Sequence, residues 1–242
     1  MSIASSISRL AAYVKRHGLR ATVGRAGIAT RRALFSNRMI ILICDLSGET
    51  LPPPNFPNLL RVERKRSAAE LSPDESSEII NIWNPKLAHE NMKARFAKGA
   101  SLWLIKSEGK LAGFGWTLRG STMEPYFLPL GKDDPYLFDG FILPQYRGQG
   151  LMPLWLNHAL HELAAERGGR AFTEIAEWNQ AILSSLKKTP FRPLGSARKF
   201  TLFRRTMVCW DDKKTAELGG GEALSHGLIA SCNDDKIPSL RA

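Results

Sequence analysis

The stretch that decides the fold reads FILPQYRGQGLMPLWLNHAL and spans residues 141–160. An apolar run ends at Pro144, a basic turn with two glycines follows, and an amphipathic helix then begins. The first N–H groups of a helix have no partner within it, and the helix dipole adds positive potential at the same end. Gly148 and Gly150 remove side chains that would screen the backbone, and Arg147 adds a fixed positive charge. The turn therefore predicts a binding site for a phosphate or pyrophosphate.

Two familiar phosphate-binding motifs do not fit this turn. The chain contains no GxGxxG, and no GK[ST] follows the turn. The alternative is an ordinary strand-to-helix turn in which glycine only allows a tight bend, because short motifs often occur without their function.

Helices and strands are predicted from apolar periodicity and from the residues that begin and end them. One helix start is explicit, with Ser72 as N-cap, Pro73 in the first position and Glu75 three residues after the cap. The order of the elements predicts an α/β (α+β) domain with a mixed sheet flanked by helices. The predicted helices cover 6–35, 72–84, 88–99, 149–167 and 179–188, and the predicted strands cover 39–46, 59–68, 100–120 as a hairpin, 133–143, 171–177 and 199–210.

The totals fit one soluble globular domain with additional segments at both ends. The chain has 242 residues, of which 43% are hydrophobic, and no apolar run approaches the roughly 20 residues that a membrane span needs. Three widely spaced cysteines fit reduced thiols in a cytoplasmic protein, and the histidines form no metal-binding signature, so no metal is expected. The predicted organisation is a basic helical arm with a short strand (1–46), a proline-rich linker (47–58), the main domain (59–210) and a flexible tail (211–242).

Positive charge is concentrated at the start of the chain. Of a net charge of +11, residues 1–44 contribute +8, because they carry seven arginines and one lysine and no acidic residue. Such a segment attracts an anionic surface, such as nucleic acid or anionic lipid, or an acidic partner. The alternative is a solvated helical face, because charge alone identifies no partner. The predicted location is the cytoplasm, with the arm able to attach at the periphery of the inner membrane.

Three segments together resemble the GCN5-related N-acetyltransferases. FILPQYRGQGL is similar to the central motif of that family, in which a strand ending V-x-P is followed by [RQ]-x-x-G-x-[GA]. NQAILSSLKKTPF is similar to a second landmark, here Asn179 and Phe191 with Pro190 where glycine is usual. RPLGSARKFTLFRR resembles the closing strand pair, and the whole resemblance covers residues 59–208.

The resemblance implies a fold and a ligand. The fold is a strongly twisted mixed sheet that splays open after its fourth strand, and the ligand is an acyl-coenzyme A, most often acetyl-CoA. The pyrophosphate is expected on the glycine turn, the pantetheine arm beside the preceding strand, and Asn179 on the opposite lip. Carried over by position, the turn residues are Arg147, Gly148, Gln149, Gly150, Leu151 and Met152, and the strand residues are Phe141, Ile142 and Leu143.

The chain departs from the family pattern at two positions. Met152 stands where the family prefers glycine or alanine, so its side chain must turn away from the phosphate. Leu186 stands where a catalytic tyrosine is frequent, and leucine cannot donate a proton to a leaving thiolate. Substitute hydroxyl donors are Tyr146, Ser184 and Ser185, and candidate pocket walls are Trp116 and Trp178.

Three carboxylates are candidates to bind or deprotonate an acceptor amine. Asp139 lies on the central strand, Glu174 lies on the neighbouring strand, and Glu177 follows at the end of that strand, where the sheet is expected to open. A carboxylate can accept the proton directly or through water if burial raises its pKa. The alternative for each of the three is a surface or structural acid.

The leading functional hypothesis is an acyl-CoA-dependent N-acyltransferase for a primary amine of a small molecule or amino sugar. A second hypothesis is a transferase for a protein or membrane-linked acceptor that the basic arm would bind. A third is a catalytically weak CoA-binding module whose arm binds nucleic acid or another partner, although no motif that reads nucleic acid accompanies the arm. The sequence leaves open whether the chain forms a homo-oligomer.

Overall fold

The structure is a computed structural model, and it describes residues 38–47, 59–82, 84–202, 205–211 and 229–231. The predicted N-terminal helices and nearly all of the predicted proline-rich linker lie outside these ranges, as does most of the predicted tail. None of the helices in these ranges is long and apolar enough to cross a membrane.

One mixed sheet organises the described residues. Its strands lie in the order β2-β3-β4-β5-β6-β1-β7-β8-β9. Neighbours are antiparallel except β5–β6 and β8–β9, which are parallel, so the predicted mixed sheet is confirmed. The strands are β1 Arg38–Asp45, β2 Leu60–Lys65, β3 Ser101–Ser107, β4 Lys110–Arg119, β5 Pro135–Ile142, β6 Arg170–Ala176, β7 Arg192–Leu202, β8 Arg205–Trp210 and β9 Ile229–Ser231.

Four α-helices accompany the sheet in the described ranges: α1 Pro73–Asn81, α2 Pro85–Ala97, α3 Leu151–Glu166 and α4 Gln180–Leu186. The predicted start of α1 is confirmed, because the Ser72 hydroxyl accepts from the Glu75 N–H while the Glu75 carboxylate accepts from the Ser72 N–H. This reciprocal pair satisfies two donors that a helix end would otherwise leave exposed.

β1 lies inside the sheet, where it pairs antiparallel with β6 on one side and β7 on the other. Its apolar residues 41–44 are all buried, which is typical of a strand covered on both faces. The sequence predicts this strand but not its central position, because no local signal identifies partners 125 or more residues away along the chain.

The last predicted strand is wrong in its extent. Residues 199–210 do not form one strand, because the chain reverses between β7 and β8. The two strands pair antiparallel from Ala197 opposite Trp210 to Leu202 opposite Arg205. A hairpin here agrees with the closing strand pair that the family resemblance implies.

The sheet opens between β5 and β6. These parallel strands pair at Tyr136 opposite Phe172, after which β5 follows β4 as far as Ile142 while β6 follows β1. The β4–β5 register shifts between Phe114 and Trp116, and Asp139 adopts a φ of 48° within this bulge. The opening after the fourth strand of the sheet, which the resemblance implies, is therefore present.

Helix α3 is held on the sheet by the buried indole of Trp155. An added Cβ at Gly115 would lie 2.1 Å from this ring, and one at Gly140 would lie 2.7 Å from it. Both strands therefore require glycine beneath the indole, and this contact fixes the position of α3 relative to β4 and β5.

We expect Gly115→Ala to lower the free energy of unfolding by at least about 2 kcal/mol, because the new methyl group and the Trp155 ring cannot occupy the same space. Urea denaturation measures the change. Gly168→Ala is the matched control, since a Cβ there makes only ordinary contacts with Ser47, starting at 3.4 Å. Equal stability of the two variants would contradict the packing described for Trp155.

Candidate active site

The glycine turn connects the end of β5 to the start of α3. A single 3-10 turn covers Pro144–Tyr146, and Gly148 and Gly150 then adopt φ values of 78° and 74°. Helix α3 begins at Leu151, so the predicted start at residue 149 is two residues too early. The physical reason is that a residue with positive φ cannot continue a right-handed helix.

The N-terminus of α3 exposes a row of backbone donors. Gly150 is the N-cap and supplies no side-chain acceptor. Within the described part of the chain, no backbone hydrogen bond uses the N–H groups of residues 148–152. Pro153 occupies the third helical position, where it has no N–H to satisfy. These consecutive donors and the helix dipole make the turn suited to an anion.

Backbone conformation, rather than crowding within the protein, explains the two glycines. A Cβ added at Gly148 or Gly150 would meet no atom within 4 Å. Their positive φ values nevertheless disfavour other residues, and a side chain at either position would project into open space that a ligand can use.

A cleft of about 520 Å³ borders this turn on one side and α4 on the other. Of the predicted cofactor-binding residues, eight line it: Phe141, Ile142, Arg147, Gly148, Gly150, Leu151, Met152 and Asn179. Leu143 and Gln149 are not among its lining residues. Leu143 is buried, and its N–H donates to the Ala112 carbonyl at 2.9 Å, so that donor already belongs to the sheet.

Two cations border the cleft. The Arg147 Nε donates to the Ile142 carbonyl at 3.1 Å, and the guanidinium lies 5.5 Å from the centre of the Phe141 ring. Lys188 lines the cleft from the end of α4 and was not predicted from the sequence. The only signal for it is the Lys187-Lys188 pair after a short helix, which becomes informative once α4 is known to face the turn.

Asn179 and Met152 occupy positions that suit the predicted site. Asn179 caps α4, with its Oδ1 accepting from the Ile182 N–H at 3.4 Å, and it lines the cleft. Met152 is buried, and its thioether lies beneath Gly140. The larger side chain thus points into the core and leaves its backbone N–H at the start of the helix.

A second cavity of about 280 Å³ lies where β5 and β6 diverge. It adjoins the cleft, because both are lined by Gly140, Met152, Asn179 and Ile182. Two of the predicted catalytic carboxylates, Asp139 and Glu174, line this second cavity, whereas Glu177 lines neither.

Glu177 and Asp139 are both engaged by arginines. Glu177 forms an ion pair with Arg38 at 3.0 Å. Asp139 forms an ion pair with Arg95, whose guanidinium also lies over the rings of Trp116 and Phe138. Both carboxylates therefore have a structural partner, which weakens the case for either as a proton acceptor.

Glu174 has the environment of a general base. Burial raises the pKa of its carboxyl to about 7, although the Tyr136 hydroxyl opposes the shift by donating to Oε1 at 2.6 Å. The positive charge of Lys199 also favours the ionised form. A carboxyl with this pKa exchanges a proton readily near neutral pH.

The residues predicted as proton donors and as pocket walls are divided among the two cavities, the core and the surface. Tyr146, Ser184 and Ser185 line the cleft, and the Ser185 hydroxyl donates to the Ala181 carbonyl at 3.1 Å. Leu186 is buried and lines the second cavity. Trp116 is buried in the core, Trp178 is 62% exposed, and neither lines either cavity. In the described ranges no group of three or more metal-ligating side chains occurs.

The turn, the adjoining cavities and the opened sheet define a class of protein, and comparison with known proteins identifies it. The family model described as the acetyltransferase (GNAT) family matches residues 66–186, which are half of the 242 residues. The chain belongs to this family. No curated protein matches the chain.

Solved structures with detectable similarity include proteins of the same family. A GNAT-family protein from Novosphingobium aromaticivorans is 13% identical, with 66% of this chain and 61% of that chain covered and a TM-score of 0.45. A GNAT-family acetyltransferase from Colwellia psychrerythraea is 12% identical, with 64% and 52% covered and a TM-score of 0.46. A GCN5-related N-acetyltransferase from Kribbella flavida is 15% identical, with 64% and 54% covered and a TM-score of 0.41. The chain thus spans only part of the length of these structures.

We expect Lys188→Ala to weaken binding of coenzyme A about fivefold at low ionic strength, because a cation at the edge of the cleft attracts the phosphates. Isothermal titration calorimetry measures the affinity, and the difference should shrink at high salt. The matched control is Lys187→Ala, which removes the same charge from a residue that does not line the cleft. An equal loss in both variants would indicate a general charge effect rather than a contact at this site.

Proposed function

We propose that the protein transfers an acyl group from acyl-CoA, with acetyl-CoA as the first candidate, to a primary amine of a small molecule or amino sugar. The observation that carries this proposal is one juxtaposition: a row of unpartnered backbone donors adjoins a cavity that contains a buried carboxyl with a pKa of about 7. The first feature suits a pyrophosphate, and the second suits the deprotonation of an amine.

Acyl-CoA would bind across the cleft with its pyrophosphate on the turn. The N–H groups of residues 148–152 would hold the phosphate oxygens, with Arg147 and Lys188 supplying positive charge. The pantetheine arm would lie along the end of β5, between Phe141 and Asn179. Because the Ile142 carbonyl already accepts from Arg147, the arm has fewer free backbone partners there than the resemblance implies.

When bound, acyl-CoA supplies an acyl group activated as a thioester. Glu174 would accept the proton of the acceptor ammonium, directly or through water, so that the free amine can attack the carbonyl carbon. The carbon–sulfur bond would then break, and the coenzyme A thiolate would leave and take its proton from water. The opening between β5 and β6 brings this carboxyl into the cavity that adjoins the cleft. Glu174 is therefore preferred over Asp139 and Glu177, both of which are paired with arginines.

A catalytically weak CoA-binding module is the second candidate function. Leu186, which lines the second cavity in place of the usual tyrosine, favours it because no hydroxyl stands at that position to protonate the leaving thiolate. A protein or membrane-linked acceptor is a further option for an active enzyme, with residues 1–44 as the segment that would attract an anionic surface. An activity screen with a panel of amines separates these alternatives.

We expect the wild-type protein to bind acetyl-CoA and Gly150→Val to lose most of that affinity, because valine would strain the turn and fill space beside the backbone donors. Isothermal titration measures both. Gly109→Val is the matched control, since Gly109 also has a positive φ and open space but lies at the β3–β4 turn, away from the cleft. Failure of the wild type to bind acetyl-CoA would overturn the proposed function.

We expect Glu174→Gln to lower kcat by about 10²- to 10⁴-fold, the usual contribution of a general base, while acetyl-CoA affinity is retained. Because the folded-state pKa of Glu174 is about 7, the wild-type rate should fall as the pH drops below 7 and protonates this carboxyl. The variant should lose that dependence. Steady-state kinetics across pH test this, with Glu177→Gln as the control from the same strand end. Full activity of Glu174→Gln would exclude Glu174 as the base.

A further inference from the structure

A cluster of aromatic residues surrounds Glu174 on one face of the sheet. Leu137 packs in the core with α3, so its neighbour Tyr136 points to the opposite face, because side chains alternate along a strand. The Tyr136 ring lies 5.0 Å from that of Tyr126, which is carried by the loop between β4 and β5. The Tyr126 ring also contacts Phe172 of β6 at 6.4 Å. Glu174 is thus flanked by two tyrosines, Tyr136 from strand β5 and Tyr126 from the β4–β5 loop.

The two oxygens of the Glu174 carboxylate have different surroundings. Oε1 accepts from the Tyr136 hydroxyl at 2.6 Å. Oε2 and the Tyr126 hydroxyl are both inaccessible to solvent, and neither has a hydrogen-bond partner in the described chain. The two residues are nevertheless neighbours, because the Tyr126 ring lies 5.0 Å from the ring of Tyr136, whose hydroxyl binds Oε1. Burial, the charge of Glu174 and an interaction between the two side chains together raise the pKa of Tyr126. A small movement of the loop would allow the Tyr126 hydroxyl to donate to Oε2.

Few charged groups act on this carboxylate. Lys199 of β7 lies near enough to favour its ionised form, and its Nζ donates to the Pro125 carbonyl next to Tyr126. Asp139 of β5 opposes ionisation by repulsion, although Arg95 is paired with Asp139. Among the residues that the structure describes, the two tyrosine hydroxyls are therefore the groups placed to hydrogen-bond directly to Glu174.

We propose that Tyr136 and Tyr126 are positioning residues of the acyl transfer, which hold Glu174 in the orientation and charge state of a general base. This proposal rests on the proposed function, because it assigns Glu174 the role of proton acceptor. It also assigns a role in the reaction to the β4–β5 loop, which otherwise carries no part of the site. A buried carboxylate without such donors would favour its neutral form, which cannot accept a proton.

The physical requirement for two donors follows from burial. Burial alone disfavours the charged carboxylate, and hydrogen bonds to the charged form oppose that effect. The Tyr136 hydroxyl remains a donor throughout the neutral range, because burial and the charge of Glu174 keep its pKa far above its usual value. Tyr126 behaves in the same way. Both tyrosines therefore stabilise an ionised Glu174 without competing for its proton.

The test changes each of the two tyrosines to phenylalanine, which removes the hydroxyl and keeps the ring. In protein labelled with ¹³C at glutamate side chains, the Glu174 carboxyl signal is assigned by its absence in Glu174→Gln and is followed against pH. We expect Tyr136→Phe to move the titration midpoint to higher pH by about one unit, and Tyr126→Phe to move it in the same direction. The acidic limb of kcat/KM should move in parallel.

Tyr146→Phe is the matched control, because Tyr146 lines the cleft but is not among the groups that act on Glu174. In this variant the titration midpoint of Glu174 should match that of the wild type. An unchanged midpoint in both Tyr136→Phe and Tyr126→Phe would overturn the positioning role, even if Glu174→Gln remained inactive and the base assignment stood. A shifted midpoint together with full activity of Glu174→Gln would overturn the role in catalysis. Circular dichroism in the near ultraviolet checks that each variant keeps its packing.

Discussion

The whole site depends on one parallel strand pair that does not continue. β5 and β6 pair at Tyr136 opposite Phe172 and then diverge, so β5 has a neighbour on one side only from that point onward. Unpaired strand edges are normally covered or charged, because they attract other chains. Here the open edge instead borders the cleft and the adjoining cavity that contains Glu174. In the proposed reaction, acyl-CoA and the acceptor amine would meet through this gap in the sheet.

The divergence is maintained from both sides. β6 pairs with β1 over seven positions, from Arg170 to Ala176, and that ladder draws it away from β5. On the other side, Trp155 packs against Gly115 and Gly140, which fixes α3 and the glycine turn against β4 and β5. The β1–β6 pairing and the packing of Trp155 together hold β5 and β6 apart. The glycine turn supplies backbone donors beside this opening.

Local chemistry explains which features could be predicted from the sequence. Ser72 and Glu75 form a cap within four residues, and the apolar run 141–143 before a glycine turn defines a strand and a helix, so both were predicted. The opening of the sheet and the family followed from motif resemblance. The partners of β1, the Arg95–Asp139 pair and Lys188 at the cleft depend on contacts between distant segments, which no local pattern encodes. The reversal between β7 and β8 has no local signal, because only Phe203 and Arg204 separate the two strands and neither is a typical turn residue.

The central position of β1 has a consequence for biosynthesis. β1 is the first described strand to leave the ribosome, yet both of its partners are synthesised much later. Its partner β7 includes Arg198, which pairs with Arg38, and its partner β6 ends at Ala176. Pairings between such distant segments form slowly, because a long loop must close before they contribute. Until then a nascent chain presents an apolar strand with neither edge paired, which favours aggregation. Correct folding of this protein therefore requires that its earliest strand stay accessible until nearly the whole domain has been synthesised.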